Sequence, residues 1–317
     1  MTTQRSTRLD WLLFIVLGFM WGSSYLFIKI GVDNGLTPFT LVMLRLFFGL
    51  LLLATVVRIA GEPLPREAKT YGHLIVMASI NIVVPFSLIT WAERSVDSAL
   101  AATLNAAVPL FVIVVAAIFL RDERITANRV AGLIVGFIGV AILVGFDPAT
   151  LTSGSFSGEI ALIGSTISYA LGAVYARRNI HGLRPMIPAL FQVGFAFAIV
   201  TVLAFVFERP LAVVGAMTAT SLFAVLWLGI LGSGLAYLVF FRILAAWGAT
   251  RTSMVAYLLP VYGIALGALV LNEHVDGRLL VGTALVIGGV ALVNSRFGSR
   301  PLFQRGRPST PESVEFR

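Results

Sequence analysis

The chain has 317 residues, of which 58% are hydrophobic and only 12% are charged. Soluble domains carry about 25% charged residues, so this balance excludes an ordinary soluble protein and indicates a chain that crosses a membrane many times. No cysteine occurs, which excludes disulfides, zinc–thiolate sites and prenylation. The formal net charge of +8 is compatible with nucleic acid or with anionic lipid as a partner, and the positions of the basic residues distinguish the two.

Apolar windows of about 20 residues, long enough for a helix to cross a bilayer, recur along the chain. They predict an all-α integral membrane protein whose ten transmembrane helices lie near residues 11–32, 38–59, 71–92, 96–120, 127–145, 159–181, 185–207, 219–242, 248–271 and 275–294. The first window lies where a secretory signal would, but it is as long as a full span and no small-x-small cleavage site follows it. We therefore predict an uncleaved helix there.

Lysine and arginine in short loops are retained on the cytoplasmic side of a membrane, so alternate loops should differ in their basic residues. One set of alternate loops, together with the two terminal segments, holds nearly all of them, whereas the opposite loops hold only Arg94, Arg209 and Arg278. This predicts a protein of the cell (inner) membrane with both termini cytoplasmic. The positive charge is then an orientation signal with anionic lipid headgroups as its partner, which disfavours nucleic acid.

The two halves of the chain resemble each other at an offset near 150 residues. GLTP at 35–38 matches GLRP at 182–185, Pro109 matches Pro260, and Glu123 matches Glu273. Each half has five spans, an odd number, so the halves cross the membrane in opposite directions, as in carriers that rock around a midplane site. Small residues also recur because helices in lipid pack closely through glycine. Close packing does not explain the shared Pro and Glu spacing, but it explains the recurring glycines well. These are Gly132, Gly136, Gly139, Gly282, Gly288 and Gly289.

Three longer stretches carry a family resemblance. WGSSYLFIKIGV lies in the first span, NAAVPLFVIVVAAIFLRDERITANRVAGLIVGFIGVAIL covers the fourth and fifth, and AYLLPVYGIALGALVLNEHVDGRLLVGTALVIGGVALV repeats that pattern in the ninth and tenth. The chain resembles the EamA family of the drug/metabolite transporter superfamily over about residues 11–294. The resemblance implies ten helices, an inverted two-fold repeat, and export or exchange of small metabolites such as amino acids across the bacterial inner membrane. In one departure, the Pro-to-Glu spacing differs by one residue between the halves, so Asp122 equally fits the first acidic position.

The predicted organisation has five segments. They are a cytoplasmic N-terminus at 1–10, the first repeat with helices 1–5 at 11–145, an extracytoplasmic linker at 146–158, the second repeat with helices 6–10 at 159–294, and a basic cytoplasmic tail at 295–317. The tail has no apolar periodicity, and we predict that it is disordered.

The acidic residues give no obvious proton relay. A proton-coupled carrier often has a carboxylate deep in the membrane, where loss of hydration raises its pKa into a useful range. Every acid in this sequence lies in a loop or near a predicted helix end. Glu93, Asp97 and Glu159 are the nearest candidates, but helix caps or interfacial ion pairs explain them better. Glu123 and Glu273 lie at the starts of the fifth and tenth helices, where an acid stabilises the positive end of the helix dipole.

Interrupted helices in corresponding positions of two halves indicate a carrier's site, because a broken helix exposes backbone groups to a cavity. Asn81 and Pro85 in the third span fall opposite Gly232 and Ala236 in the eighth. We predict helix breaks or hinges at five positions: Pro85, Pro109, Gly232, Gly234 and Pro260. Polar and aromatic side chains at membrane depth predict a cavity for an amphipathic or zwitterionic solute, although each of them alone also fits a bridge between helices. The predicted cavity residues are Arg45, Trp21, Ser23, Ser24, Asn81, Asn105, Tyr169, Gln192, Ser233, Tyr237 and Tyr257.

Arg45 is the charged member of this set. It lies about 10 Å below the outer face at 1.5 Å per residue, and a membrane-central arginine costs about 2.5–3.5 kcal/mol on insertion scales. Snorkelling to the headgroups or a bond to a carbonyl of a kinked helix are two explanations. When the two halves are aligned, Arg45 is equivalent to Gln192, so both halves have a polar side chain at this position but only the first half carries a charge there. Trp21 is equivalent to Tyr169 in the same alignment. We predict that Arg45 faces the cavity from the outer side and contacts an anionic group of the solute or a gating carboxylate.

The predicted function is a secondary transporter that moves a small metabolite, an amino acid or a related zwitterion, most simply by export through alternating access. No catalytic residue, metal or cofactor is predicted.

An exchanger of phosphorylated or nucleotide-linked solutes is the alternative, but it needs several cations where only Arg45 and Lys29 are available. A lipid-modifying enzyme is disfavoured because His73, His181 and His274 lie apart and no HExxH occurs. A scaffold or receptor is disfavoured because it would need a large soluble domain or long loops, and the sequence predicts neither.

Overall fold

The structure is a computed structural model that describes residues 8–120, 125–145, 154–180, 182–184, 186–247, 252–295 and 301–303. Within these ranges ten helices are long and apolar enough to cross a membrane. They are α1 Arg8–Asp33, α2 Pro38–Ala60, α3 Ala68–Ala92, α4 Ser98–Phe119, α5 Ala127–Val144, α6 Gly154–Asn179, α7 Met186–Phe207, α8 Ala219–Trp247, α9 Ser253–Val270 and α10 Gly277–Asn294. The predicted all-α fold with two inverted repeats of five helices is confirmed.

The elements outside the spans are short. A helix at Pro210–Gly215 lies between α7 and α8, where proline in the first turn supplies the helical φ. Two strands, β1 at Ile125–Thr126 and β2 at Pro301–Phe303, pair antiparallel. The sequence predicted neither feature. Residues 146–153 of the linker, residues 296–300 and 304–317 of the tail, and Asp122, Glu123 and His181 lie outside the described residues.

The start of α6 differs from its predicted position. The helix begins at Gly154, whereas the apolar window began at residue 159. Its first turns read GSFSGE, a polar stretch that an apolar window omits but that is helical in the structure. Glu159 therefore lies inside a helix rather than at its first residue.

Two helices in corresponding positions of the repeats contain π-helical segments. In α3 the segment is Ser79–Val83, and Pro85, which has no N–H to donate, lies two residues after it. In α8 it is Trp227–Leu235, after which the helix continues over Ala236–Trp247. A π-helical segment leaves backbone carbonyls without their usual donors. The Ser168 hydroxyl of α6 satisfies one of them by donating to the Ile80 carbonyl at 2.5 Å.

The fourth and ninth helices also change geometry, although less. Helix α4 consists of Ser98–Asn105 and Val108–Phe119, so the turn between them lies just before Pro109. Helix α9 begins as a 3₁₀-helix at Ser253–Tyr257 and continues as an α-helix from Leu258, with Pro260 in its first turn. Both prolines lie where their missing N–H costs no helical hydrogen bond.

Glycines bring α5 and α10 into backbone contact. A Cβ on Gly132 would lie 2.6 Å from the Gly289 carbonyl oxygen, and one on Gly139 would lie 2.8 Å from that of Gly282. Such distances leave no room for a side chain. Close packing therefore explains the matching glycines of these two helices, with the exception of Gly288, whose Cβ would meet nothing within 4 Å.

We call the end of the bundle that holds the α1–α2, α3–α4, α5–α6, α7–α8 and α9–α10 loops the outer end, after the orientation predicted from lysine and arginine. Carboxylates from distant segments cap helices there. Glu273 accepts the backbone N–H groups of Ser98 and Ala99 at 2.8 and 3.0 Å, at the start of α4. The prediction that Glu273 serves α10 is wrong. Asp276 caps that helix by accepting the Leu279 N–H at 2.7 Å.

Glu208 caps α2 from the end of α7. Its carboxylate accepts the backbone N–H groups of Phe39 and Thr40 at 3.0 and 2.8 Å, and also the hydroxyls of Thr37 and Thr40 at 2.5 and 2.8 Å. Hydrogen bonds to a charged group contribute about 1.5–3 kcal/mol each when buried and less when partly exposed.

We expect Glu208→Ala to lower the free energy of unfolding by about 1–3 kcal/mol, because four donors lose their acceptor at once. The measurement is thermal unfolding of the purified protein in detergent. Glu67→Ala is the matched control, since Glu67 precedes α3, is exposed and makes no capping hydrogen bond. Equal unfolding temperatures for the two variants would contradict this interpretation of Glu208.

Candidate functional site

Arg45 lies in α2 with 5% of its surface exposed. Its Nε donates to the Ser233 hydroxyl of α8 at 2.8 Å, and its guanidinium carbon lies 4.1 Å from the centre of the Phe86 ring of α3. A guanidinium over an aromatic face gains cation–π attraction, which grows when water is excluded. Three helices from both repeats thus hold the charged group in place.

The π-helical segment of α8 brings its backbone close to Arg45. A Cβ on Gly232 would lie 2.9 Å from the Ser24 hydroxyl of α1 and 3.6 Å from Nη2 of Arg45. The guanidinium also interacts electrostatically with the phenols of Tyr169, Tyr237 and Tyr25 and with the Glu93 carboxyl. We call Arg45, Ser24, Tyr25, Phe86, Tyr169, Gly232, Ser233 and Tyr237 the Arg45 cluster.

The terminal nitrogens of Arg45 are available to a ligand. Guanidinium carries five N–H donors, and the Nε donor is used by Ser233. Within the part of the chain that the structure describes, neither Nη atom has a hydrogen-bond acceptor and no carboxylate lies at ion-pair distance. A buried cation with unused, coplanar donors is suited to bind a carboxylate or phosphate in bidentate fashion.

A second polar pair lies where α3, α6 and α7 meet. Asn81 in the π-helical segment of α3 donates to the Gln192 side-chain oxygen of α7 at 3.2 Å. Gly172 of α6 lies against the Asn81 amide, since its Cβ would be 3.0 Å from Asn81 Oδ1. Gln192, the repeat counterpart of Arg45, is therefore bonded within the protein, while Arg45 keeps donors free.

The other predicted site residues lie elsewhere. Ser23 accepts the Trp227 indole N–H at 3.0 Å and so links α1 to α8. Trp21 packs on Phe240 at 5.4 Å between ring centres, and Tyr257 accepts the Asn294 amide at 3.0 Å. Among the described residues, no hydrogen bond or ring contact joins Trp21 or Tyr257 to Arg45. Asn105 is buried at the break in α4, and its Oδ1 has no hydrogen-bond partner there.

The predicted hinge residues separate into two groups. Gly232 and Gly234 lie in the α8 segment that packs on α2, where a Cβ on Gly234 would lie 2.6 Å from the Leu52 side chain. Pro85 follows the α3 segment one residue before Phe86 of the Arg45 cluster. Pro109 and Pro260 lie in the first turns of their helix segments.

Two cavities lie at the outer end. The larger, about 570 Å³, lies between α1, α2, α3 and α7, and its walls include Leu36, Ser87, Trp91 and Glu208. The smaller, about 220 Å³, lies between α4, α6 and α10, and its walls include Glu159 and Arg278. Small-ligand pockets are about 300–1,000 Å³, so the larger cavity has room for a metabolite. Arg45 lines neither, although Ser87 adjoins Phe86 on α3.

The three acids considered as relay candidates have different environments. Glu159 pairs with Arg278 at 3.6 Å, as an interfacial ion pair. Asp97 occupies the position before α4 but makes no capping hydrogen bond with its side chain. Glu93 is 0% exposed, and neither of its carboxylate oxygens has a hydrogen-bond partner among the described residues. For Glu93 the expectation of a cap or an ion pair is wrong.

Sequence reasoning missed Phe86 and the isolation of Glu93. Phe86 is one of 23 phenylalanines, and nothing local distinguishes it from those that face lipid. Glu93 could be recognised as an acid near a helix end, but its burial depends on residues of α1 and of the α9–α10 loop.

The chain is similar to a known protein family, to several relatives and to a solved structure. The model of the EamA-like transporter family matches residues 10–145 and 156–295. The probable terminal-alkyne amino-acid exporter of Streptantibioticus cattleyicolor is 27% identical over 92% of this chain and 94% of its own. The probable amino-acid metabolite efflux pump of Escherichia coli K12 is 24% identical over 90% and 94%. The uncharacterized transporter YoaV of Bacillus subtilis is 23% identical over 89% and 95%. A solved crystal structure, 22% identical, has the same fold with a TM-score of 0.64 over 91% of this chain and 98% of its own.

Proposed function

Because the chain belongs to the EamA-like transporter family, we propose that it exports an amino acid or a related zwitterionic metabolite by alternating access. The family and the ten apolar helices make it a multi-pass membrane transporter, whose partners are lipid and a small-molecule substrate. The proposal includes the cell inner membrane as its location, cytoplasmic termini, and transport without an enzymatic step.

The observation that carries the proposal is the pair of unused Nη groups on buried Arg45. A solute carboxylate on these donors replaces the water that they would otherwise need, and charge-assisted bonds of this kind are among the stronger ones. The phenols of Tyr25, Tyr169 and Tyr237 add neutral hydrogen-bonding groups. Phe86 and the surrounding apolar side chains suit the non-polar part of the solute.

The relatives support the choice of solute class. One relative is named a probable terminal-alkyne amino-acid exporter, and another is named a probable amino-acid metabolite efflux pump. An amino-acid solute brings one carboxylate to one guanidinium. Phosphorylated or nucleotide-linked solutes carry more negative charge than the Arg45 cluster neutralises. Lys29, the other cation that the sequence offered for such a solute, is already paired with Asp33 at 3.2 Å.

The π-helical segments of α3 and α8 supply the moving parts in this proposal. They occupy corresponding positions in the two repeats. The α8 segment contributes Gly232 and Ser233 to the Arg45 cluster, and the α3 segment ends three residues before Phe86. π-Helical turns are frequent at functional sites. Rocking of one repeat against the other then closes the outer end as it opens the inner one.

A thermal-stabilisation screen tests the proposed solute class. A ligand that binds only the native state raises its stability by RT ln(1 + [L]/Kd), which is about 2.7 kcal/mol at a hundredfold excess over Kd. We expect one or more of the common amino acids to raise the unfolding temperature of the purified protein. Stabilisation by sugar phosphates or nucleotide sugars but not by amino acids would replace this proposal with the exchanger alternative.

A further inference from the structure

Glu93 directly follows α3 at the outer end and is a buried acid that the transport site does not use. Its side chain is 0% exposed, and both carboxylate oxygens lack a hydrogen-bond partner among the described residues. An unpaired buried carboxylate is so unfavourable that such groups usually take up a proton instead. The geometry alone therefore indicates a neutral carboxylic acid at this position.

The charged and titratable groups around Glu93 do not replace that proton. Tyr25, Lys29 and Asp33 face it from α1, Arg45 from α2, and Glu273 from the α9–α10 loop. The Lys29 ammonium donates to the Glu93 backbone carbonyl at 2.9 Å and pairs with Asp33, so it is bound to other acceptors. Burial raises the pKa of the Glu93 carboxyl well above its ordinary value, and the negative Glu273 adds to the rise, while Lys29 and Arg45 oppose it.

Other polar groups beside Glu93 also lack partners. The hydroxyl of Thr90, one turn earlier in α3, and that of Ser98, at the start of α4, are buried without a hydrogen-bond partner in the described part of the chain. Buried polar atoms are normally satisfied, so several unsatisfied ones in one place need an explanation. Separation of the outer ends of α3 and α4 would give these groups water as a partner.

Glu93 is also connected electrostatically to the Arg45 cluster. Arg45 and Tyr25 each interact with its carboxyl, so the charge state of Glu93 changes the potential at the proposed solute site. A charged Glu93 attracts the ammonium of a solute whose carboxylate is on Arg45, whereas a protonated Glu93 does not, so the proton and the solute compete, as an exchange requires.

We propose that Glu93 is the proton-binding residue of this carrier, holding a proton while the outer ends of α1, α3 and α4 are packed together and exchanging it with solvent when they separate. The step is COO⁻ + H⁺ → COOH on uptake and its reverse on release, with no other bond changed. The inference rests on the proposed function, since it makes export of the solute an exchange for protons.

Infrared spectroscopy tests whether the proton resides on Glu93. Protein in lipid bilayers is titrated while the carbonyl stretch of protonated carboxylic acids is recorded. We expect wild type to keep such a band at neutral pH, Glu93→Gln to lose it, and the exposed control Glu67→Gln to keep it. Absence of the band from wild type, or its persistence in Glu93→Gln, would overturn the proposal, and neither result depends on knowing the solute.

A flux measurement tests the coupling. Proteoliposomes loaded with a radiolabelled mixture of the common amino acids are diluted into buffer of equal or lower pH. The acidic outside should accelerate efflux by wild type but not by Glu93→Gln. A gradient response that the variant retains would overturn the role of Glu93. Absence of all flux from wild type would instead refute the proposed function, and the infrared result still decides where the proton is bound.

Stability should depend on pH through the same group. Above the ordinary pKa of a glutamate, about 4.3, the unfolded chain has released this proton while the native state retains it. The native state then binds more protons, so stability falls as pH rises through the raised pKa of Glu93. We expect Glu93→Gln to remove part of that fall in unfolding temperature. A variant that follows wild type over the whole range would contradict the assignment.

Discussion

Arg45→Gln should reduce amino-acid flux by roughly ten- to a hundredfold at low solute concentration. The expected size follows from the loss of charge-assisted hydrogen bonds, about 1.5–3 kcal/mol, at about 1.4 kcal/mol per tenfold. Glutamine is polar and shorter, so it leaves the space and a hydrogen-bonding group but removes the charge. The measurement is initial efflux from proteoliposomes, with unfolding temperature recorded to confirm that the variant is folded.

Ser233→Ala is the control that separates binding from packing. It removes the acceptor of the 2.8 Å bond from Arg45 Nε but leaves the charge and both Nη groups in place. We expect a loss of no more than about threefold, because the charge and both Nη donors remain and only a bond that orients the guanidinium is lost. Equal losses in the two variants would indicate that Arg45 only joins α2 to α8, and wild-type flux by Arg45→Gln would contradict the assignment of the site.

Gly289→Ala should be the most destabilising single change in the pair α5–α10. Its Cβ would lie 2.5 Å from the Gly136 backbone nitrogen and 2.6 Å from the Gly132 carbonyl oxygen, so two helix backbones must separate to admit it. Overpacking costs about 1–3 kcal/mol, and the loss here falls at the upper end because the obstructing atoms are backbone. Thermal unfolding in detergent measures it.

The neighbouring glycine gives a matched control for that change. Gly288 is in the same helix and exposed, and a Cβ there would meet nothing within 4 Å. Gly288→Ala should leave the unfolding temperature unchanged or raise it, since alanine is about 1 kcal/mol more favourable than glycine in a helix. Destabilisation of similar size by both substitutions would show that the contact between α5 and α10 is not the cause.

Much of the fold was predictable because lipid restricts what a spanning segment can be. A helix must satisfy its own backbone groups and needs about 20 apolar residues, so the spans appear directly in the sequence. The offset shared by Pro109 and Pro260 predicted the two repeats. Asn81 opposite Gly232 indicated the part of α3 and α8 where the structure has π-helical segments.

The rest depends on contacts between residues far apart in the chain. Glu208 caps α2, whose bonded residues lie 168 to 171 positions away in the sequence. Glu273 caps α4, whose bonded residues lie 174 and 175 positions away. Local sequence places each glutamate near the helix that follows or precedes it, which is why Glu273 was assigned to α10. The isolation of Glu93 is a property of the assembled outer end and has no local signal.

Counterflow in proteoliposomes tests the central claim most directly, that the Arg45 cluster binds an amino acid in a carrier that alternates access. Vesicles loaded with an unlabelled amino acid that stabilises the protein are placed in a trace of the same compound in labelled form. A carrier exchanges the two, so label should accumulate transiently inside vesicles containing wild type, and much less with Arg45→Gln. Uptake of label no greater than in protein-free vesicles, or equal accumulation by both proteins, would contradict the account.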